Sequence, residues 1–177
     1  MARVSTRRGD DGFTDLWGSG RVAKYAPRPE LLGAIDEANS VLGLARATSA
    51  QPRVAAEVKA IQGDLYVMMS DIATPAENYE RSSHKITNAH VERLDALLED
   101  LKGQTQVQRA FITPGDTAAG ATLDVARTVI RRAERLAARL LHDGVIPNPE
   151  VLRYLNRASD VVFVLGRFEE ERSHTDG

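Results

Sequence analysis

VARTVIRRAERLAARL, Val125 to Leu140, is the stretch whose reading decides the fold. Extended to Thr117 and His142 and written as a helix, it carries an apolar seam at Leu123, Ala126, Ile130, Ala133, Ala137 and Leu140. The spacings alternate between three and four, the signature of a helix packed in a bundle. Turning the helix by roughly 100° per residue puts Arg127, Arg131 and Glu134 along the border of that seam, and Arg132, Arg135 and Arg139 on the solvent side. A guanidinium at the margin of an apolar face is partly desolvated, so it needs an acidic partner or an anionic ligand there. Arg127, Arg131 and Glu134 are therefore the first candidates for a functional site.

Four more segments repeat the pattern. A helix opening at Pro29 presents Leu31, Ile35, Ala38, Leu42 and Ala45, with Asp36, Asn39 and Gly43 along one side. Residues 52–73 carry Val54, Val58, Ile61, Leu65, Met68 and Ile72, until Thr74-Pro75 ends the run. A helix starting at Thr87 or Asn88 carries Val91, Leu94, Leu98 and Leu101 and stops at Gly103. The last, about 150–171, has Val151, Leu155, Ala158, Val162 and Leu165, widened by Tyr154, Val161, Phe163 and Phe168. No alternating segment of strand length competes, so the expected fold is all-α, a five-helix bundle over 28–172. It is preceded by a polar, glycine-rich, flexible arm, 1–27, and followed by a polar tail, 173–177.

A chain of 177 residues is long enough for one well-buried core. Its net charge of −2 provides no general attraction to nucleic acid or to an anionic membrane, so anion binding has to come from local clusters. The absence of cysteine removes disulfides, thiolate metal sites and thiol nucleophiles together. Residues 1–13 lack an apolar signal region and apolar runs stay as short as Val161–Leu165, so neither a signal peptide nor a membrane span is expected. Ferritin-type metal sites need Glu-x-x-His on each of two helices, and His84, His90, His142 and His174 do not supply two such pairs. Hydrolase-elbow, Walker and dinucleotide-binding signatures are also missing.

Three groups of residues remain. The arm offers Thr6, Arg7, Gly9, Asp10, Gly12, Thr14 and Lys24: glycines that let backbone amides approach a phosphate, hydroxyl donors and cations. A disordered basic tail has the same composition. Arg127, Arg131 and Glu134 fit an anion site or an ion-pair ladder along one helix. Asn156, in YLNRASD with Ser159 and Phe163 near it, fits a ligand contact or a buried amide tying two helices together.

The chain resembles the PduO-type corrinoid adenosyltransferases, or ATP:cob(I)alamin adenosyltransferases. TRRGDDGFTDL from Thr6 looks like the family's N-terminal arm, and RVAKYAPRPELLGAIDEANSVLGLA from Arg21 like its first helix. FITPG from Phe111, RRAER from Arg131 and YLNRASDVVFVLGR from Tyr154 follow in the family's order and spacing. Trp17, Pro29, Ala38 and Asp116 depart from the usual pattern, at arm entry and the corrin cavity rather than at the ATP arginines.

The resemblance implies a homotrimer with active sites between subunits, in which the 5′-deoxyadenosyl group of ATP passes to the cobalt of reduced cobalamin and triphosphate leaves. It implies that Thr6, Arg7, Gly9, Asp10, Gly12, Thr14 and Lys24 wrap ATP and that Arg131, Glu134 and Asn156 hold the nucleotide. Mg²⁺ would ride on the phosphates near Asn156, with no protein ligand of its own. Arg127 would pair with Asp36 of the partner subunit on the cobalamin side, and Phe111 would fill the space beneath the corrin. Catalysis would rest on Arg131, Arg127, Asp36 and Phe111. A cytoplasmic location, a flavin reductase and an adenosylcobalamin-dependent mutase as partners, and no nucleic-acid or membrane partner complete the expectation. The alternative is a carrier that binds cobalamin or nucleotide without catalysis.

Overall fold

Prolines stand at the first residue of three long helices, where their fixed φ suits the turn and the missing N–H forfeits no bond. Those helices are α1 (Pro27–Thr48), α2 (Pro52–Ala73) and α6 (Pro149–Thr175) of the computed structural model, which describes residues 7–16, 20–106 and 112–175. The other two long helices are α4 (Asn88–Lys102) and α5 (Ala118–His142). Thr117 caps α5, its side chain accepting from the Gly120 N–H at 2.9 Å. The all-α expectation and the five long helices therefore hold, with shifted ends and additions.

The expected five-helix count becomes six among the described residues, because Ala76–Tyr79 closes a single turn, α3. Four residues, AENY, are too few to show an apolar period by which a sequence could announce them. Part of the arm is ordered as an antiparallel hairpin, β1 (Phe13–Asp15) with β2 (Arg21–Ala23), in the register Phe13 to Ala23 and Asp15 to Arg21. Strands of three residues are too short to display an alternation. Helix α1 starts two residues before Pro29, at Pro27, and α6 runs to Thr175, so residues 173–175 of the expected tail are helical. Ser173 bonds back to the Glu169 carbonyl at 2.8 Å within that last stretch.

Every seam residue read from the α5 sequence is buried, as are those of α1, α2 and α4 and the five of the central α6 stripe. Contacts between charged and polar groups fix the register around them. Arg132 pairs with Glu37 and Arg28 donates to the Val145 carbonyl, so α1 runs antiparallel to α5. Asn156 meets Glu134 and Arg167 meets Asp124, so α6 is antiparallel to α5 as well. On α6's other side, Arg157 pairs with Asp95 of α4, while the Tyr154 hydroxyl donates to Asp64 of α2 at 2.7 Å. Burial and then the Asp64 carboxylate push the Tyr154 phenol well above its ordinary value.

Both ends of the bundle are tied by buried polar groups. At one end the Asp71 carboxylate accepts from the Ile86 N–H (2.9 Å) and the Asn148 amide (2.6 Å), joining α2 to the turns before α4 and α6. Burial, then the Asp71 charge, raise the Tyr79 phenol beside them. At the other end Glu169 accepts from Ser49 Oγ (2.5 Å) and the Ala50 N–H (2.9 Å) in the α1–α2 turn. Asn148→Ala is expected to lower unfolding free energy by about 1–3 kcal/mol, the cost of leaving a buried acceptor short of a donor. Urea denaturation checks this, and an unshifted midpoint would refute the tie.

Candidate functional site

Among the clefts of the described residues, two hold candidate residues and divide them between them. The first, about 520 Å³, lies among α4, α5 and α6 and is lined by Lys102, Arg127, Arg131, Arg157, Asp160 and Phe163, with smaller residues between. Its cations outnumber its carboxylates, and its floor is partly apolar. Such a lining suits an anionic ligand with a flat hydrophobic part. Arg131 projects from α5 with no side-chain hydrogen bond or ion pair among the described residues. Arg127, with 29% of its side chain exposed, gives its Nε–H to Asp124 at 2.9 Å and lies 6.0 Å from the Phe163 ring.

One helical turn from Arg131, Glu134 Oε1 accepts from the Asn156 amide at 2.9 Å. The two candidates therefore meet across the α5–α6 contact, which the antiparallel register makes possible. Arg131 is itself exposed, as are Arg132, Arg135 and Arg139, so its place in the cleft lining rather than its burial sets it apart; Arg139 is 74% exposed and lies 3.7 Å from Asp143. Arg132 is also exposed but reaches Glu37 on α1, and Arg135 bonds the Arg131 carbonyl at 2.9 Å.

The second cleft, about 540 Å³, is formed by the arm, the start of α1 and the end of α2. Thr14, Asp15 and Leu16 line one wall; Pro29, Gly33 and Asp36 line another, with Met69 and Ala73 completing it. The hairpin brings the arm candidates together. Lys24 Nζ donates to the Gly9 carbonyl at 2.7 Å, and a side chain at Gly9 would begin 2.9 Å from that ammonium. Gly12 takes a φ of 84°, a backbone open to glycine, and its carbonyl accepts from the Lys24 N–H at 2.9 Å. Arg7, at φ 58°, and Asp10 are exposed beside them. Thr6 and Phe111 lie outside the described residues, as does Trp17.

Asp36 and Arg127 do not meet within the chain. Glu37 is level with Arg132, which leaves Asp36 roughly one and a half turns along from Arg127 on α5. Asp36 faces the arm cleft, whereas Arg127 is held by a carboxylate of its own helix.

Sequence reasoning missed Lys102, Arg157 and Asp160 in the first cleft, and Asp124 and Arg167 behind it. The spacing Asp124-x-x-Arg127 was a readable signal for one pair. The bond from Arg167 to Asp124 depends on interhelical register, which the sequence does not display. In the arm, Arg21 was overlooked: its guanidinium grips both oxygens of Asp11 at 2.9 and 2.7 Å and donates to the Arg8 carbonyl at 2.5 Å.

Comparison with known proteins is consistent across the chain. The family described as cobalamin adenosyltransferase matches residues 4–169. A corrinoid adenosyltransferase of Citrobacter freundii is 34% identical over 96% of this chain and 96% of its own. One from Bacillus subtilis is 38% identical over 97% of this chain and 88% of its own. Among solved structures, a PduO-type ATP:corrinoid adenosyltransferase of Lactobacillus reuteri, complexed with cobalamin and ATP, superposes with a TM-score of 0.89 at 31% identity. It covers 97% of this chain and 96% of that one.

The Arg21–Asp11 pair gives the arm a pH response. Its hydrogen bonds hold the Asp11 carboxyl below the ordinary range and raise the Arg21 guanidinium. A depressed carboxyl keeps its partner at neutral pH and loses it only as pH falls through the lowered value. In an NMR titration, Asp11 is expected to protonate below the usual value of about 3.9. Arg21→Ala should bring it back up, and an unchanged midpoint would remove Arg21 as the cause.

Proposed function

We propose, from the premise that this chain belongs to the cobalamin adenosyltransferase family, that its two clefts are half-sites completed between copies of the chain. The enzyme is an adenosyltransferase that moves the adenosyl group of ATP to cobalamin. The observation that carries the shared site is the division of the candidates: Asp36 and the arm line one cleft, and Arg127 and Arg131 the other. A site that uses both sets draws them from two subunits. A homotrimer satisfies this three times, because each copy gives one face to the next. Exposed Leu44 (58%) and Val125 (52%) support such an interface, lying at one level of the antiparallel α1–α5 pair.

In this arrangement Thr6, Arg7, Gly9, Asp10, Gly12, Thr14 and Lys24 wrap ATP. Arg131 binds its phosphates, and Glu134 with Asn156 orients the nucleotide. Arg127 reaches Asp36 of the partner subunit beside the corrin, and Phe111 occupies the place of the lower nucleotide ligand. Relatives from Lactobacillus reuteri have been solved with a phenylalanine changed to alanine or histidine, and with an arginine changed to lysine.

The reaction forms a bond from cobalt to C5′ of ATP and breaks the bond from C5′ to the triphosphate oxygen. The reduced cobalt is the nucleophile, so the protein's task is alignment of the two substrates and stabilisation of the departing charge. Unpaired Arg131 is suited to that charge, and Lys24 can exchange the Gly9 carbonyl for a phosphate oxygen. Mg²⁺ fits as a companion of the triphosphate. The described residues hold no group of three acidic, histidine or cysteine side chains around a common point, whereas Glu134 Oε2 and Asn156 Oδ1 are hard oxygen donors beside Arg131. When bound, the ion would offset phosphate charge. No helix among the described residues is long and apolar enough to cross a membrane. A cytoplasmic enzyme, supplied with electrons by a flavin reductase and serving an adenosylcobalamin-dependent mutase, completes the reading.

Purified protein mixed with ATP, Mg²⁺ and reduced cobalamin should give many turnovers by corrin absorbance and triphosphate assay. Arg131→Ala is expected to lose roughly a hundredfold or more in kcat with the helices intact, whereas Arg139→Ala stays within about twofold. Equal losses would overturn the division of the arginines. Light scattering should report three chains rather than one of 19.4 kDa, and a monomer that turns over would defeat the shared site. Phe111→Ala should retain activity on chemically reduced cobalamin and lose it when reduction has to occur on the enzyme. Unchanged activity in both assays would remove Phe111 from the mechanism.

A further inference from the structure

Behind the first cleft, four side chains of alternating charge form a chain from the interior to the site. Glu170 of α6 holds Arg167 through contacts of 2.6 and 3.2 Å. Arg167 donates to Asp124 Oδ2 at 3.1 Å, and Asp124 Oδ1 accepts from Arg127 Nε at 2.9 Å. Glu170, Arg167 and Asp124 are all buried. The Phe163 ring centroid stands 6.0 Å from the guanidinium carbon of Arg127 and 5.7 Å from that of Arg167, so one aromatic ring contacts both cations. We infer that Asp124, held by Arg167 and Glu170, is the positioning residue of this enzyme: it fixes the Arg127 guanidinium at the wall of the cleft.

Three features carry the inference. Asp124 takes only the Nε–H of Arg127, which leaves the terminal nitrogens to face a ligand or the partner subunit. Left alone between two arginines, Asp124 would be shared; Glu170 supplies the second negative charge, so the four groups sum to zero. The chain also depends on a built vacancy in α5. A Cβ at Gly120 would stand 2.8 Å from Glu170 Cγ and 2.9 Å from its Cδ, so the side chain opposite Gly120 fits only because that position is glycine. A carboxylate that reaches a site through one residue, while two more groups at its back determine its own place, is what locking a guanidinium to a narrow range of orientations requires.

The inference rests on Arg127 acting at the site, and the test separates the two claims. Asp124→Asn keeps the shape and removes the charge; Gly120→Ala displaces Glu170 from the other end of the chain. Each is measured alone and combined with Arg127→Ala, for kcat and KM with both substrates and for thermal midpoint. Asp124→Asn is expected to lower kcat/KM for the corrinoid about tenfold while KM for ATP changes less than about twofold, and Gly120→Ala should act in the same direction. In the Arg127→Ala background neither substitution should lower activity further, although both still shift the thermal midpoint. Losses that multiply with Arg127→Ala, or that are absent in both single variants while Arg127→Ala is impaired, would overturn the positioning role. A fully active Arg127→Ala would instead overturn the role of Arg127. Should Asp124→Asn fail to fold, Gly120→Ala decides the matter by the same comparison.

Discussion

The close approach of α5 to its neighbours depends on alanine. Ala126, Ala133 and Ala137 are buried without remainder in a seam where leucine would be the ordinary filler. Helix axes pack about 8–10 Å apart depending on the side chains at the contact, and small side chains favour the near end of that range. Polar side chains from facing helices can then meet directly. The Glu134–Asn156 and Asp124–Arg167 bonds across α5 and α6 both belong to this contact. The same nearness brings the α1 residues into register, with Glu37 reaching Arg132. Much of the polar architecture around the cleft is thus a consequence of what the apolar seam leaves out.

Hydrophobic spacing made the long helices legible because intervals of three and four, repeated about three to five times in each, leave little choice of which face turns inward. The seam of Leu123 through Leu140 needed no tertiary information. Arg131 at the edge of that seam was legible for the same reason. The partner of Arg127 was harder. Periodicity marked the residue as one that needs a carboxylate, and family resemblance supplied Asp36 of the partner subunit, yet the chain provides Asp124 from one turn back. Both can be served, since one uses Nε and the terminal nitrogens remain. Arg167 was masked because its neighbours Leu165 and Phe168 read as core; the spacing to Glu170 on its own helix was readable, whereas its bond to Asp124 across the helix contact was not. The hairpin escaped for the opposite reason: its strands bury little and owe their pairing to Arg21 and Lys24 rather than to any apolar alternation.

The two clefts also differ in what holds them. The arginine cleft is walled by helices whose side chains pack into one core. The arm cleft has a helical wall on one side and, on the other, a three-residue ladder with an exposed ion pair. An exposed pair of that kind is screened by solvent and contributes little to stability. The architecture sets a cation-lined wall of packed helices against a face that can adapt.

The ties at both ends of the bundle, Asp71 with Asn148 and Glu169 with Ser49, determine where the entropy of substrate capture is spent. Helices pinned at both ends have little freedom to slide past one another, so binding costs them almost no order. With the arm wrapping ATP as proposed, the loss of chain freedom falls on arm positions such as Gly9, Gly12 and Gly20, which enlarge the set of conformations to be given up. On the proposed reading, arm composition therefore tunes the part of nucleotide affinity that the arm supplies, while the helical wall of Arg127 and Arg131 stays as it is.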